Sequence, residues 1–394
     1  MKVLHISTMD YGGAGLCAYR LSQSVRKYGV DSQMLVLYKT SDDPNVHQVK
    51  STGLLVRKVI DKALRMLGLA VTERNVLIHQ SKKYHSSYTL PITSLDISSH
   101  PLVKQADLIH LHWVNDFFNQ PLFFQKVNKP IVWTVHDENL FYGTSHFHDS
   151  ILADDPLEKK YFHIKHQMVS KAKNLNFVLL SKHFLETFGS DSMLVGKNVR
   201  VINNSVDCDR FLPVDKKIAR ERLGLVQSKV LLLFVSIDIM AYHKGLDTLI
   251  KAVDKIGRDD IRILAVGDDS QFTPHSLVIT TGMIRDTAKM SDIISASDYF
   301  VMPSLQEAFA QTPVEAMACG KPAVVFPVSG TEELINEANG VRCADFTTDS
   351  LIEGLLMAFS HTYDAEVIRT DVRQRFSPDH IARQYIDFYE EVMK

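Results

Sequence analysis

Two glutamates eight positions apart, Glu307 and Glu315, frame the run Ala308-Phe309-Ala310-Gln311-Thr312-Pro313-Val314. The chain leaves a strand-like run at 299–302, turns, and enters a helical pattern near Thr312. Pro313 suits an early helical position, where its missing N–H costs little. The N–H groups of Phe309, Ala310, Gln311 and Thr312 then begin a helix without intrahelical partners, which favours a phosphate. Glu315, about one turn in, suits the two hydroxyls of a ribose. Glu307, ahead of the helix, suits the hydroxyls of a sugar beyond the phosphates. The same carboxylates also suit the helix macrodipole alone. Spacing by itself therefore leaves two readings open, a nucleotide-linked ligand and a stabilised helix start.

Other residues could do chemistry. Lys244 sits in His243-Lys244-Gly245 ahead of a helical pattern at 246–256. It is either a cation for phosphate or a solvated helix-start lysine. The preceding segment, Val235-Ser236-Ile237-Asp238-Ile239-Met240, carries an acid, Asp238, as a further candidate. Asp10-Tyr11-Gly12-Gly13-Ala14-Gly15 follows the first strand, and Gly13-x-Gly15-x-x-Ala18 formally matches a dinucleotide fingerprint. That strand reads as ending near Ser7, too early for a tight turn, and Asp42 follows Lys39 instead of ending the second strand. Trp133-Thr134-Val135-His136-Asp137 closes another strand. His136 and Asp137 there are candidates for the site, or satisfied structural residues. His110 and His112 share one strand face, and His146-x-His148-Asp149 lies in a loop. Together these suit zinc chemically. No dense ligand motif with standard spacing appears, so no metal is expected.

The elements that must position these residues alternate along the chain. Strand-like runs at 2–7, 33–38, 107–112, 131–134, 176–180 and 199–202 fill the first half, and runs at 230–235, 261–266, 277–280, 299–302, 322–326 and 340–343 the second. Most are near-continuous in Val, Ile and Leu, as buried parallel strands are. Helical patterns lie between them, such as 15–28, 246–256, 287–296 and 314–319. Repeated β-α units predict an α/β fold with parallel sheets and helices on both faces. The 394 residues favour two domains, with the best break at Asn203-Asn204-Ser205-Val206-Asp207. We expect domains at 1–205 and 206–377, with 378–394 packing back on the first. Residues 54–70 form a candidate amphipathic helix with Arg57, Lys58, Lys62 and Arg65. It is either an ordinary surface helix or a peripheral contact with anionic lipid.

Composition excludes several classes. The formal net charge is −2, so no basic field marks a nucleic-acid partner. Four cysteines without paired close spacing argue against a disulfide framework and fit a cytoplasmic setting. The short apolar start of the sequence reads as a strand and not as a signal peptide.

The stretch from Glu307 to Pro322 resembles the E-x7-E motif of retaining nucleotide-sugar glycosyltransferases of glycosyltransferase family 4, which have the GT-B fold. Both glutamates and Ala316-Met317-Ala318-Cys319-Gly320-Lys321-Pro322 match; Ala308 and Ala310 stand where the family has glycines. Asn203-Asn204-Ser205-Val206-Asp207 resembles the family's interdomain segment, Ser329-Gly330-Thr331-Glu332-Glu333 its Gly-Gly-x-x-Glu turn, and His243-Lys244-Gly245 its Lys-Gly. The family's arginine upstream of that lysine is absent. The Trp-Thr-x-His-Asp segment is similar to a subset acting in surface-polysaccharide assembly.

The resemblance implies two Rossmann-like domains facing each other across a deep cleft. It implies transfer of a sugar from a UDP- or GDP-sugar to a hydroxyl of a glycan or lipid-linked acceptor. Configuration would be retained by a front-face route, without a cofactor or divalent metal. His136, Glu307 and Lys244 would be catalytic. Gly12 and Gly13 would form a flexible loop that joins Lys244, Glu307, Ala308, Phe309, Ala310, Gln311, Thr312 and Glu315 in holding the donor. Two other readings stay open, a nucleotide-sugar 2-epimerase of the same fold and a catalytically silent carbohydrate- or nucleotide-sugar-binding protein.

Overall fold

The computed structural model describes residues 1–50, 72–84, 87–148 and 154–394. The basic amphipathic segment at 54–70 and Asp149 lie outside the described residues. The described chain divides into two compact units. One comprises Met1–Leu180, Phe184–Asn203 and Ala382–Lys394, the other Ser181–His183 and Asn204–Ile381.

The first unit is built on a seven-stranded sheet. Its strands are β1 (Lys2–Met9), β2 (Asp31–Tyr38), β3 (Val46–Gln48), β4 (Leu108–Leu111), β5 (Ile131–Val135), β6 (Leu175–Leu179) and β7 (Asn198–Val201), in the order β3-β2-β1-β4-β5-β6-β7. Every pairing is parallel, so each connection must cross over, with helices such as Gly12–Arg26 and Pro156–Lys171 between strands. Leu108, Ile109, Leu111, Ile131 and Val132 are fully buried, which explains continuous apolar runs in place of alternation. The order reverses at β1, which lies between β2 and β4. Ligands of open α/β sheets bind outside the carboxyl ends of strands at such a reversal. The helix Pro378–Val392 contributes Tyr385, Phe388 and Tyr389 to the core, and Arg200 stacks over Phe388 at 4.8 Å.

The second unit repeats the pattern. Its strands are β8 (Val230–Asp238), β9 (Ile261–Asp268), β10 (Val278–Thr280), β11 (Tyr299–Met302), β12 (Ala323–Val325) and β13 (Gly340–Arg342), in the order β10-β9-β8-β11-β12-β13, all parallel. Leu246, Leu249 and Val253 recur at helical spacing on Leu246–Ile256, and Leu351 and Leu355 on Thr348–Ser360; these faces close one core on the sheet. The reversal here falls between β8 and β11.

Of the expected boundaries that the structure moves, three bear on the candidate site residues. First, β1 runs to Met9 instead of ending near Ser7, because Thr8 is satisfied at long range: its amide donates to the Trp113 carbonyl at 2.7 Å and its hydroxyl to that of Asn115 at 2.8 Å. Second, the first helix starts at Gly12, so Gly12 and Gly13 form its first turn and are not a flexible loop. Third, the helix after Glu307 spans Gln311–Ala318 and starts a residue before Thr312. The three-residue β3 was not anticipated. It is too short for a periodic signal and its register comes from pairing with β2.

Candidate active site

The carboxyl ends of β8 and β11 bring Lys244 and Glu307 together. After β11 the chain turns through Pro303 and Leu305; after β8 it forms a short 3-10 turn, Tyr242–Lys244. The two loops are clamped by the Leu305 N–H donating to the His243 carbonyl at 2.8 Å. Gly245, at φ +80°, packs so closely that a Cβ there would lie 2.1 Å from the Pro303 carbonyl oxygen. This is a position only glycine fills. The clamp sets Lys244 Nζ 2.6 Å from Glu307 Oε1, in a half-buried ion pair. Lys244 thus ends a turn capped by Gly245 and does not itself open the following helix.

The surroundings hold no further strong cation on these loops. His243 is depressed below its ordinary value by burial and by the charge of Lys244, so it stays neutral at neutral pH. Asp238 ends β8, accepts the Met240 N–H at 2.9 Å and is exposed, with no ion pair among the described residues. The segment 235–240 therefore offers a carboxylate and no cation.

Past Glu307 the chain is buried at Ala308, Phe309 and Ala310, then enters the helix Gln311–Ala318. Its N-cap, Ala310, provides no side-chain acceptor for the first N–H groups. These are donors of the kind that receive anions. Ala310 has φ −75°, and Asp116 is the one non-glycine residue with positive φ among those described. Alanine at 308 and 310 is therefore unstrained. Gln311 Nε2 donates to the Ser205 carbonyl at 3.1 Å. Glu315 lies on the first turns of the helix, half-buried. Gly330, at φ +83°, starts the short helix Thr331–Leu334, whose Glu333 accepts the Lys182 N–H. Both of these regions belong to the second unit.

The first unit assembles a different set at the ends of β1, β4 and β5. Asp10, in the two-residue link between β1 and the first helix, accepts the N–H and hydroxyl of Thr40 and the N–H of Ser41. Gly15 lets that helix lie on β1, since a Cβ there would be 2.4 Å from the Met9 carbonyl. Gly12 needs φ +70°, whereas a Cβ on Gly13 would meet nothing within 4 Å.

His136 follows β5 and is half-buried. Burial pushes it down to about 4, against the pull of Asp137. Asp137 is fully engaged: it accepts from Trp113 Nε1 at 2.8 Å, pairs with His146 Nδ1 at 2.6 Å and caps the turn Glu138–Phe141 through the Asn139 N–H. Burial raises its carboxyl, but the charge and hydrogen bond of His146 outweigh that and hold it low. The loop behind is fixed by Glu158, which accepts from Gly143, Thr144 and Ser145, and by buried Lys165, which donates to Asn139 and Tyr142. Sequence reasoning missed both residues, because they act across more than ten positions with no local motif.

The histidines do not gather as the zinc idea required. His146 bonds Thr89 and Asp137, and His148 is exposed. His5, overlooked in the sequence, instead joins His110 and His112 in a buried cluster with ring nitrogens within 4.8 Å. Five of its six ring nitrogens already have protein partners: His5 Nδ1 and His112 Nε2 hold each other, His112 Nδ1 meets His136, and His110 meets Tyr389 and Thr134. Hydrogen bonds thus engage every ring nitrogen of this cluster but His5 Nε2. A histidine in the middle of an otherwise apolar buried strand was the available signal.

Residues 229–361 match the family described as "Glycosyl transferases group 1". The matched stretch lies within the second unit and spans about a third of the chain. The chain is also similar to D-inositol 3-phosphate glycosyltransferase of Mycobacterium sp. (strain KMS), 25% identical over 93% of this chain and 80% of that one. Among solved structures it resembles a glycosyltransferase from Rickettsia africae, with TM-score 0.67 and 17% identity over 100% of this chain and 98% of that one. It also resembles HepE of Anabaena, solved with UDP-glucose, with TM-score 0.64 and 17% identity over 99% and 100%. These likenesses are of fold: two parallel-sheet α/β units of the GT-B kind. The protein is an enzyme of the glycosyltransferase type.

Proposed function

We propose that this glycosyltransferase moves a sugar from a nucleoside diphosphate to an acceptor hydroxyl with retained configuration. The observation that carries the reading is the Lys244–Glu307 ion pair, beside the uncapped start of the helix Gln311–Ala318, within the group 1 glycosyl transferase domain. HepE, with the same fold, binds UDP-glucose, which supports a nucleotide-sugar donor. In the reaction the bond from the anomeric carbon to the diphosphate breaks. The Lys244 ammonium and the N–H groups of Phe309, Ala310, Gln311 and Thr312 stabilise the charge that develops on the leaving oxygen. That oxygen takes the proton of the acceptor hydroxyl, which bonds to the same face of the sugar. The diphosphate draws the ammonium and frees Glu307 to orient sugar hydroxyls, while Glu315 accepts the ribose hydroxyls. In the first unit His136, after β5, and Gly13, with open space where a Cβ would stand, are the candidates for contact with a ligand. Asp137 acts by holding its loop. The acceptor is a glycan or lipid-linked intermediate.

The test is anomeric analysis by proton NMR during slow hydrolysis of UDP-, GDP- or ADP-sugars. An α-linked donor is expected to release the α sugar first; initial release of the β sugar would overturn retention. The reading routes no step through a divalent ion, so EDTA is expected to leave the rate unchanged. A rate abolished by EDTA and restored by magnesium or manganese would contradict it.

A further inference from the structure

Donor binding does not explain why three histidines are buried behind His136. His136 Nε2 lies 3.1 Å from His112 Nδ1, and His112 Nε2 lies 3.0 Å from His5 Nδ1. At the inner end, His5 Nε2 is buried with no hydrogen-bond partner. At the outer end, His136 Nδ1 has no hydrogen-bond partner among the described residues, and the ring lines a recess with His112, Trp113, Asn115 and Asn139.

A neutral imidazole has one N–H and one lone pair. His112 must therefore donate in one link and accept in the other, so both links run the same way. Each link joins an Nδ1 to an Nε2. The three rings consequently carry their protons on the same-named nitrogen, Nε2 if the chain runs inward and Nδ1 if it runs outward. The inner end is closed, because His5 Nε2 has nothing to pass a proton to. A proton relayed inward from His136 would stay on His5 as a buried imidazolium without a counter-charge, which is strongly unfavourable. Burial holds His5 at about 3, with Arg26 pushing the same way, and burial together with the neighbouring histidines holds His112 well down. Asp137 is the one acid pulling His136 up. His110 stays outside the chain, its nitrogens taken by Tyr389 and Thr134, and its ring packs 4.0 Å from His112.

We propose that His5 and His112 are positioning residues that keep His136 neutral and tie its tautomer to theirs, so that it hydrogen-bonds a sugar or phosphate oxygen through Nδ1 without exchanging a proton during transfer. The functional half rests on the glycosyl-transfer reading above; the lock itself does not.

The test is a nitrogen–proton correlation spectrum of the full chain labelled at its histidine nitrogens, without substrate, near pH 7. The expected result is that His5, His112 and His136 are neutral, with the same-named nitrogen protonated in each. In His5→Phe the far link is gone, so the tautomer balance reported by the His136 signal is expected to shift. Turnover should then fall about ten-fold, as when an orienting outer residue is removed, with less than about a two-fold change in donor KM. His5→Gln, whose amide can still donate or accept, should restore the far link and with it the wild-type signal. Different protonated nitrogens among the three wild-type rings, or an unchanged His136 signal in His5→Phe, would overturn the lock. Should His5→Phe not fold, the wild-type spectrum decides alone. His136→Ala separates the two ideas: full transfer in that variant alongside uniform wild-type tautomers removes the role of His136 and keeps the lock, while lost transfer alongside mixed tautomers does the reverse.

Discussion

Lys244 and Glu307 each need the other in the unliganded protein. Neither sits in water: the side chains keep 24% and 17% of their exposure. Lys244→Ala leaves the carboxylate without its ammonium, at a cost of about 1 kcal/mol, since a half-buried pair is still partly screened. Its effect on transfer should be far larger, roughly 10²–10³-fold in turnover, because the charge it meets develops during the reaction. Near-normal turnover with an unchanged urea midpoint would remove Lys244 from the site. A second residue-scale consequence concerns acid stability. His5 binds its proton at about 3 in the folded chain against an ordinary 6.5. Between these values the unfolded chain holds a proton that the folded chain lacks. Stability is therefore full above about 6.5 and falls with decreasing pH, by about 1.4 kcal/mol per pH unit for such a ring, levelling off below about 3. Melting temperature measured against pH should decline from about pH 6 downward, and His5→Phe should flatten that decline. An equal slope in the variant would show that His5 is not the titrating group.

The elements position these residues through a few close backbone contacts. Gly245 is the clearest case: alanine there must adopt φ +80° and meet the Pro303 carbonyl. Gly245→Ala should cost roughly 2–4 kcal/mol in urea unfolding and displace Lys244 from Glu307. Gly257, at φ +67° with nothing within 4 Å, is the control; alanine there should cost only about 1 kcal/mol. Equal losses at the two positions would mean the contact with Pro303 matters little. Apart from β3, the strands of both sheets were readable, most of them from their Val, Ile and Leu runs, since a buried parallel strand is apolar throughout. The end of β1 was not, because Thr8 and Asp10 are satisfied by Trp113, Asn115, Thr40 and Ser41, contacts that exist only once the chain has folded. The pairing of Lys244 with Glu307 was likewise invisible, although both residues were singled out individually. His5 shows the same limit: a histidine in an apolar strand is a signal, but its partners exist only once register sets it beside His110.

At the scale of the whole molecule, the same order of six strands is used twice, with β7 added to the first sheet, and each reversal point carries its own set of polar residues. No helix among the described residues is long and apolar enough to cross a membrane. The account assigns the two members of the ion pair different ligand groups: diphosphate for Lys244 and sugar for Glu307. Calorimetric titration of the wild type, Lys244→Ala and Glu307→Gln with a nucleoside diphosphate and with the matching sugar nucleotide measures that division without needing the acceptor. The account predicts that Lys244→Ala weakens both ligands by at least about ten-fold, a charge-assisted contact being worth roughly 1.5–3 kcal/mol. It predicts that Glu307→Gln binds the diphosphate as the wild type does and loses affinity only for the sugar nucleotide. Wild-type affinity for both ligands in both variants would contradict it.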